Sequence, residues 1–110
     1  MRKTTAALAL VATIGANHLT WATVASQVVE IVQKGRAFAV REVEIARGST
    51  LRFINADDFP HQIQTKGPGV DVDSGLQAPD ETLDIAFPAA GIFEVRCGVH
   101  PRMRMSVRVD

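Results

Sequence analysis

Residues 83–110 read LDIAFPAAGIFEVRCGVHPRMRMSVRVD, and the spacing of their apolar side chains decides the fold class. Apolar residues occupy every second position in three short runs, at 83–87, 93–97 and 107–109. This period of two is typical of β-strands that bury one face, and the Pro and Gly residues at 88–91 mark a turn between the first two runs. The C-terminal part of the chain is therefore predicted to form three β-strands.

The same pattern continues towards the N-terminus, where short runs rich in β-branched residues alternate with turn residues. Further strands are predicted at residues 28–33, 38–46, 50–55 and 61–65. The turn Arg47-Gly48-Ser49 predicts that the second and third of these strands form a hairpin, and the acidic segment 70–80 is predicted to be irregular. No helix of normal length is predicted beyond the first two dozen residues, so we expect an all-β sandwich.

The first residues have the layout of a signal peptide. Arg2 and Lys3 precede the apolar run AALALVATIGA at residues 6–16, which is too short to cross a bilayer as a normal helix. Small residues place cleavage after residue 22 or as late as residue 25. We therefore expect residues 1–22 to form a signal-peptide helix, residues 27–110 to form one domain, and the protein to be exported to the periplasm. A permanent N-terminal membrane anchor is the alternative.

The charge balance excludes several classes of function. The chain carries 12 Lys and Arg against 12 Asp and Glu, and cleavage after residue 22 would remove Arg2 and Lys3, leaving 10 basic against 12 acidic side chains. Such a chain lacks the basic footprint of a nucleic-acid-binding protein. The sequence also shows no nucleophile with a base, no carboxylate dyad and no phosphate-binding loop, so we predict that it is not an enzyme.

The single cysteine, Cys97, gives the first indication of a metal site. An exported protein meets oxidising conditions, where a lone thiol is buried, paired with another chain or held by a metal. After the predicted cleavage the chain has two His, one Cys and two Met, and all but His61 lie in CGVHPRMRM, residues 97–105. A thiolate, two imidazoles and a weak thioether are the ligands of a copper site that serves both Cu(I) and Cu(II).

The spacing of these residues suits one ion. Cys97 ends a predicted strand and His100 follows three residues later, so a short loop can wrap the metal, while His61 must come from a separate strand. Met103 and Met105 both follow within reach. Taken singly, a loop histidine is more often a surface residue and a free cysteine a buried apolar one, so the combination carries the prediction.

Four segments resemble the blue copper proteins of the plastocyanin and amicyanin type, the cupredoxins. They are FINADDFPH (53–61), DSGLQAPDET (73–82), FPAAGIFEVRC (87–97) and CGVHPRM (97–103). The resemblance implies a Greek-key β-sandwich with one copper ion near one end. In these families the axial Met precedes the first inward valine of the last strand by four residues, which selects Met103 over Met105 because Val107 follows it at that spacing. The predicted ligands are thus His61, Cys97, His100 and Met103.

Two positions depart from the family pattern. Gln62 stands where relatives often have Asn, so we expect a changed hydrogen bond between the two ligand loops. Arg96 replaces an aromatic residue before the cysteine, and its place in the alternation predicts that it points outward.

The resemblance also implies a function, that of a one-electron carrier between redox partners, by analogy in methylamine oxidation between a dehydrogenase and a cytochrome. Docking is expected near His100, on an apolar patch supplied by Val99, Pro101 and Phe59, with Arg102 and Arg104 favouring an acidic partner. We expect a monomer that binds neither nucleic acid nor, after cleavage, membranes. The alternatives are a periplasmic copper-binding or delivery protein that does not shuttle electrons, and a copper-free adhesion or assembly module.

Overall fold

The computed structural model describes residues 25–110, and the predicted signal-peptide helix lies outside this range. The described part of the chain is built from eight β-strands. They are β1 (Val28–Gln33), β2 (Glu42–Ile45), β3 (Ser49–Asn55), β4 (His61–Gly67), β5 (Val70–Gln77), β6 (Thr82–Phe87), β7 (Gly91–Cys97) and β8 (Arg104–Val109). Within residues 25–110 no helix has the length and apolar character needed to cross a membrane.

The strands form two sheets that pack face to face. One sheet has the order β1-β3-β6, and the other has the order β2-β8-β7-β4-β5. Two pairs of neighbouring strands are parallel, β1 with β3 and β2 with β8. The other neighbouring strands pair antiparallel. The all-β sandwich prediction is therefore confirmed.

The core lies between the sheets and is filled by the residues that alternate inward along each strand. Its buried apolar side chains include Ile31, Leu51, Phe53, Ile63, Ile85, Phe87, Phe93, Val95 and Val107. Phe87 and Phe93 meet edge to face with ring centroids 5.2 Å apart. This core fixes the end of β7 and the start of β4, and these two points carry Cys97 and His61.

The predicted hairpin between the second and third strands is wrong. β2 pairs with β8 in the five-stranded sheet, whereas β3 pairs with β1 and β6 in the other sheet. The turn at Gly48, whose φ is +85°, carries the chain across the sandwich, and its N–H donates to the Phe87 carbonyl. Both Ile45 and Leu51 still point into the core, because an arch between sheets and a hairpin within one sheet give the same alternation of apolar residues.

The prediction that residues 70–80 are irregular is also wrong. Val70–Gln77 forms β5, an edge strand paired with β4. Its Asp, Ser and Gly residues are depleted in strands, so the composition alone gives little strand signal. The pairing with β4 nevertheless holds this segment extended, with an irregularity between Gln62 and Gln64 on the partner strand.

Candidate metal centre

His61 is the first residue of β4 and its side chain is fully buried. Its ring is fixed at both nitrogens. Nδ1 lies 3.6 Å from the Cys97 sulfur, and Nε2 lies 2.8 Å from a carboxylate oxygen of Asp57. An ionised carboxylate only accepts hydrogen bonds, so this contact places the ring proton on Nε2 and leaves the Nδ1 lone pair directed towards the sulfur.

Cys97 ends β7 and is also buried, 1% exposed. The backbone of the neighbouring strand holds its position: the Gln62 N–H donates to the sulfur over 3.4 Å, and the Gly98 N–H donates to the Gln62 carbonyl over 2.9 Å. These two hydrogen bonds tie the start of β4 to the end of β7. The Gln62 side chain turns instead to Asp73, to which its amide donates over 2.7 Å.

His100 lies in the loop between β7 and β8 and is half-buried. Its Nδ1 lies 3.7 Å from the Cys97 sulfur. Two backbone hydrogen bonds close this loop, from the Met103 N–H to the His100 carbonyl and from the Cys97 N–H to the Met103 carbonyl. Met103 is thereby joined to both residues, and its side chain is 2% exposed.

The donor atoms of His61, Cys97 and His100 all lie within 4.8 Å of one another, which is a spacing that one metal ion can bridge. Within residues 25–110, no other group of three or more His, Cys, Asp or Glu side chains brings its donor atoms this close together. One thiolate with two imidazoles is a soft and intermediate donor set, which suits copper and differs from the oxygen ligands of calcium or magnesium. The residues present therefore fit a copper ion.

Met105 points into the core beside Val95, its partner in the pairing of β7 with β8. Its parity with Val107 and Val109, which the sequence shows, is thus realised as packing between the sheets.

Asp57 is a buried carboxylate that the sequence reasoning missed. Besides the His61 ring, it accepts the Gly35 N–H over 2.7 Å and the Arg36 N–H over 3.3 Å. Burial acts to raise the pKa of Asp57, but the hydrogen bonds from Gly35, His61 and Arg36 together outweigh it and hold the pKa below its ordinary value. The carboxylate is therefore ionised at neutral pH. Its position four residues before His61 was the available signal.

Phe59 packs against both histidine rings, whose own centroids lie 5.1 Å apart. Its centroid lies 5.3 Å from that of His61 and 5.4 Å from that of His100, both edge to face. The Arg36 guanidinium lies over the Phe59 ring, 4.7 Å from its centroid. Burial lowers the pKa of His100, and the nearby His61 ring and Arg36 guanidinium act in the same direction.

One depression, of about 340 Å³, opens at the exposed edge of His100. We call it the His100 surface; its lining residues are Arg36, Val99, His100, Pro101 and Arg102. Arg36 comes from the loop after β1 and was not anticipated from the sequence. Arg104 instead donates to the Pro101 carbonyl and approaches Glu94 on the outer face of the five-stranded sheet. Arg96 is exposed, as its place in the alternation predicted.

No protein-family model matches the chain. Its sequence is, however, 32% identical to amicyanin-alpha of Methylorubrum extorquens over 118 residues, an alignment that covers 94% of this chain and 98% of that protein. The chain belongs to the amicyanin family of cupredoxins. The resemblance seen in the four sequence segments is confirmed, and the copper cofactor is confirmed at the level of the family and of the donor set.

Solved structures agree with this family. Amicyanin from Paracoccus versutus is 27% identical and superposes with a TM-score of 0.67, covering 76% of this chain and 81% of that one. The copper-containing nitrite reductase of Thermus scotoductus is 26% identical with a TM-score of 0.68. The match covers 74% of this chain but 22% of the reductase, so the shared part is one cupredoxin unit of a much larger chain.

Proposed function

We propose that this amicyanin-family protein is a type 1 copper protein that carries single electrons between redox partners in the periplasm. The observation that carries the proposal is the convergence of the Cys97 sulfur with the Nδ1 atoms of His61 and His100, at 3.6 and 3.7 Å. Copper bound by these donors would supply one-electron exchange between Cu(I) and Cu(II).

The protein contributes a fixed set of donors. His61 and Cys97 are buried in the sandwich. The His61 ring donates to the Asp57 carboxylate, and the Gln62 N–H donates to the Cys97 sulfur, so each side chain is held by a protein group. Ligands locked in this way keep nearly the same positions in both oxidation states. Little rearrangement then accompanies each electron.

Met103 is the fourth ligand in this proposal. Its backbone is bonded to His100 and to Cys97, and its buried side chain enters the same end of the core. A thioether in this role binds weakly and tunes the reduction potential. Met105 packs in the hydrophobic core and is not a ligand in this proposal.

His100 is the exit for the electron. Of the three converging donors, it alone is half-buried, and its exposed edge opens on the His100 surface. Val99 and Pro101 give this surface apolar contact area, while Arg36 and Arg102 provide positive charge. Such a surface suits a brief encounter with an acidic partner, such as a dehydrogenase or a cytochrome, because apolar contact and charge steering do not require a large interface.

The finer assignments belong to the same proposal. We place residues 1–22 as a cleaved signal peptide, residues 27–110 as the mature domain, and the protein in the periplasm as a monomer. By family analogy its partners serve methylamine oxidation. We propose a carrier and no enzyme, since the reductase relative has most of its length outside the matched unit.

The test is the visible spectrum of the purified mature protein after addition of Cu(II). The proposal predicts an intense blue band from thiolate ligation, together with reversible one-electron voltammetry. The Cys97→Ser variant should bind copper without that band. A colourless site that holds only Cu(I) would support copper delivery and overturn the carrier assignment, and no copper binding would support the adhesion alternative.

The docking assignment has a separate test. Reversing both charges, with Arg36→Glu and Arg102→Glu, should slow electron transfer to an acidic partner and invert its dependence on ionic strength. The pair Arg47→Glu and Arg108→Glu changes the same charge outside the His100 surface and serves as the control. An unchanged salt dependence in the first pair would remove the docking role.

A further inference from the structure

The loop between β1 and β2 makes a tight turn next to the metal centre. Gly35 and Arg36 both have positive φ, +65° and +57°, as in the two central residues of a type I′ turn. For arginine this conformation is uncommon. The turn is closed by the hydrogen bond from the Lys34 N–H to the Ala37 carbonyl.

The two central N–H groups of this turn point the same way and hold the Asp57 carboxylate. Gly35 donates to Oδ1 over 2.7 Å and Arg36 donates to Oδ2 over 3.3 Å, so both oxygens are used. Successive backbone N–H groups that converge in this way form a concave anion site. The unusual backbone of Arg36 thus has a cause in the fold: it turns the Arg36 N–H towards a buried carboxylate.

The same carboxylate reaches the metal ligand. Its Oδ2 accepts the His61 Nε2–H over 2.8 Å, and the Asp57 side chain is 8% exposed. The loop is also joined to the ligand through its side chain, because the Arg36 guanidinium stacks on Phe59 and Phe59 packs on the His61 ring. Two routes therefore connect one surface loop with one buried imidazole.

We infer that Asp57 is a positioning residue that joins the metal ligand His61 to the loop presenting Arg36 on the His100 surface. The inference rests on the proposed copper function. Asp57 is not one of the converging donors, because it contacts His61 at Nε2, whereas Nδ1 faces the Cys97 sulfur. It acts through His61, by fixing the ring orientation and the tautomer, and it simultaneously orders the loop that a partner would contact.

An amide at position 57 cannot replace the carboxylate. The three contacts of Asp57 all come from N–H donors, so both oxygens must accept. An asparagine has one accepting oxygen and an NH₂ group that would face a donor, either at the turn or at the imidazole. Asp57→Asn therefore breaks one end of the link while it preserves the size of the side chain.

The first experiment compares Asp57→Asn with Asp58→Asn. Asp58 is the next residue, exposed, so its substitution gives the same charge change without the buried contacts. We expect Asp57→Asn to weaken copper binding about 10–100-fold and to raise the reduction potential, because the histidine becomes a poorer and less ordered donor. Asp58→Asn should resemble the wild type in both measurements.

The second experiment strains the turn without touching the carboxylate. A Cβ at Gly35 meets nothing within 4 Å, so Gly35→Ala changes only the backbone preference. Gly75→Ala is the matched control, since Gly75 has φ +63° and equally open surroundings but lies in β5. We expect Gly35→Ala to shift the potential in the direction of Asp57→Asn by a smaller amount, and Gly75→Ala to leave it unchanged.

A third measurement uses the metal-free protein. The ring Nε2–H of His61 should give a resolved proton resonance that exchanges slowly with water in the wild type and is lost or shifted in Asp57→Asn. If the wild type forms the blue site but Asp57→Asn matches Asp58→Asn in affinity, potential and resonance, the inference is overturned and the proposed function stands. If the wild type binds no copper while the resonance behaves as expected, the copper function fails and the structural link remains.

Discussion

Replacing Met103 by leucine is expected to raise the reduction potential of the copper-loaded protein, whereas the same replacement at Met105 should leave it nearly unchanged. The two methionines are two residues apart and almost equally buried, 2% and 3% exposed. They differ in their surroundings. Met103 is bonded through its backbone to His100 and Cys97, while Met105 lies within the β7–β8 ladder, where it pairs with Val95.

General magnitudes give the expected size of the stability effect and the scale of the potential effect. A Met-to-Leu exchange nearly conserves volume, so each variant should lose less than about 1.5 kcal/mol of unfolding free energy. The stability change is therefore shared and cannot explain a difference in potential. For a one-electron couple, each tenfold change in relative affinity for the two oxidation states is about 59 mV. An added electron-pair donor stabilises the more positive Cu(II) ion more than Cu(I), so its loss in Met103→Leu should raise the potential, by about 59 mV for each tenfold loss of that preference.

The assay is voltammetry of both variants beside thermal unfolding of both, each copper-loaded. The expected result is a matched loss of Tm with a potential shift in Met103→Leu alone. A shift in Met105→Leu with none in Met103→Leu would refute the assignment, because it would show that the residue sharing strand parity with Val107 leaves the core to bind the metal. Equal shifts in both would show that the potential responds to packing and not to ligation.

Three further results are expected. Gly67→Ala should cost about 1–3 kcal/mol, because the added Cβ would lie 2.6 Å from the Phe93 ring, and Phe93→Leu in the same chain should recover part of the loss in a urea titration. In the folded, metal-free protein the pKa of His100 is lowered, so the unfolded chain binds this proton more tightly than the folded chain. Tm should therefore fall as the pH drops below about 6.5, and His100→Gln should flatten this dependence. A Tm that rises on acidification would contradict this expectation. Removing copper with a chelator should lower the unfolding free energy by about 2.7 kcal/mol relative to protein held at a free copper concentration of 100 times its Kd, and identical melting curves would argue against a folded-state site.

The sequence predicts well those features that are local along the chain. Cys97 and His100 are three residues apart, and the strand that ends at Cys97 is visible in the alternation of Phe93 and Val95, so their proximity follows from one strand and one short loop. His61 could be added without a spatial argument because few histidines were available. The structure then brings all three donors within 4.8 Å.

The pairing of strands is harder to predict from the sequence than their positions. The alternation in residues 42–45 and 50–53 correctly identifies which side chains are buried, but it contains no information on whether the neighbouring strand lies in the same sheet. The chain at Gly48 crosses between sheets, and only the distant partners, β8 for one strand and β1 and β6 for the other, determine this. Polar β5 shows the converse, since its extended conformation is imposed by β4 against its own composition.

The groups around the ligands show why a metal centre is harder to read than its ligands. The donor set is recognisable from residue type, because few side chains bind copper well. Asp57 and Arg36 have no such signature, because an aspartate and an arginine on separate loops are usually solvated. The spacing of Asp57 from His61 is a weak signal, and the sequence does not indicate that the turn at Gly35 and Arg36 binds this carboxylate. Their roles depend on the turn at Gly35, which lies 22 residues before the carboxylate it binds. Since such partners alter metal affinity about 10–100-fold, two chains with the same four predicted ligands can differ widely in affinity and potential. In this chain the contacts around His61 therefore add to what the four predicted ligands determine, and only the fold creates them.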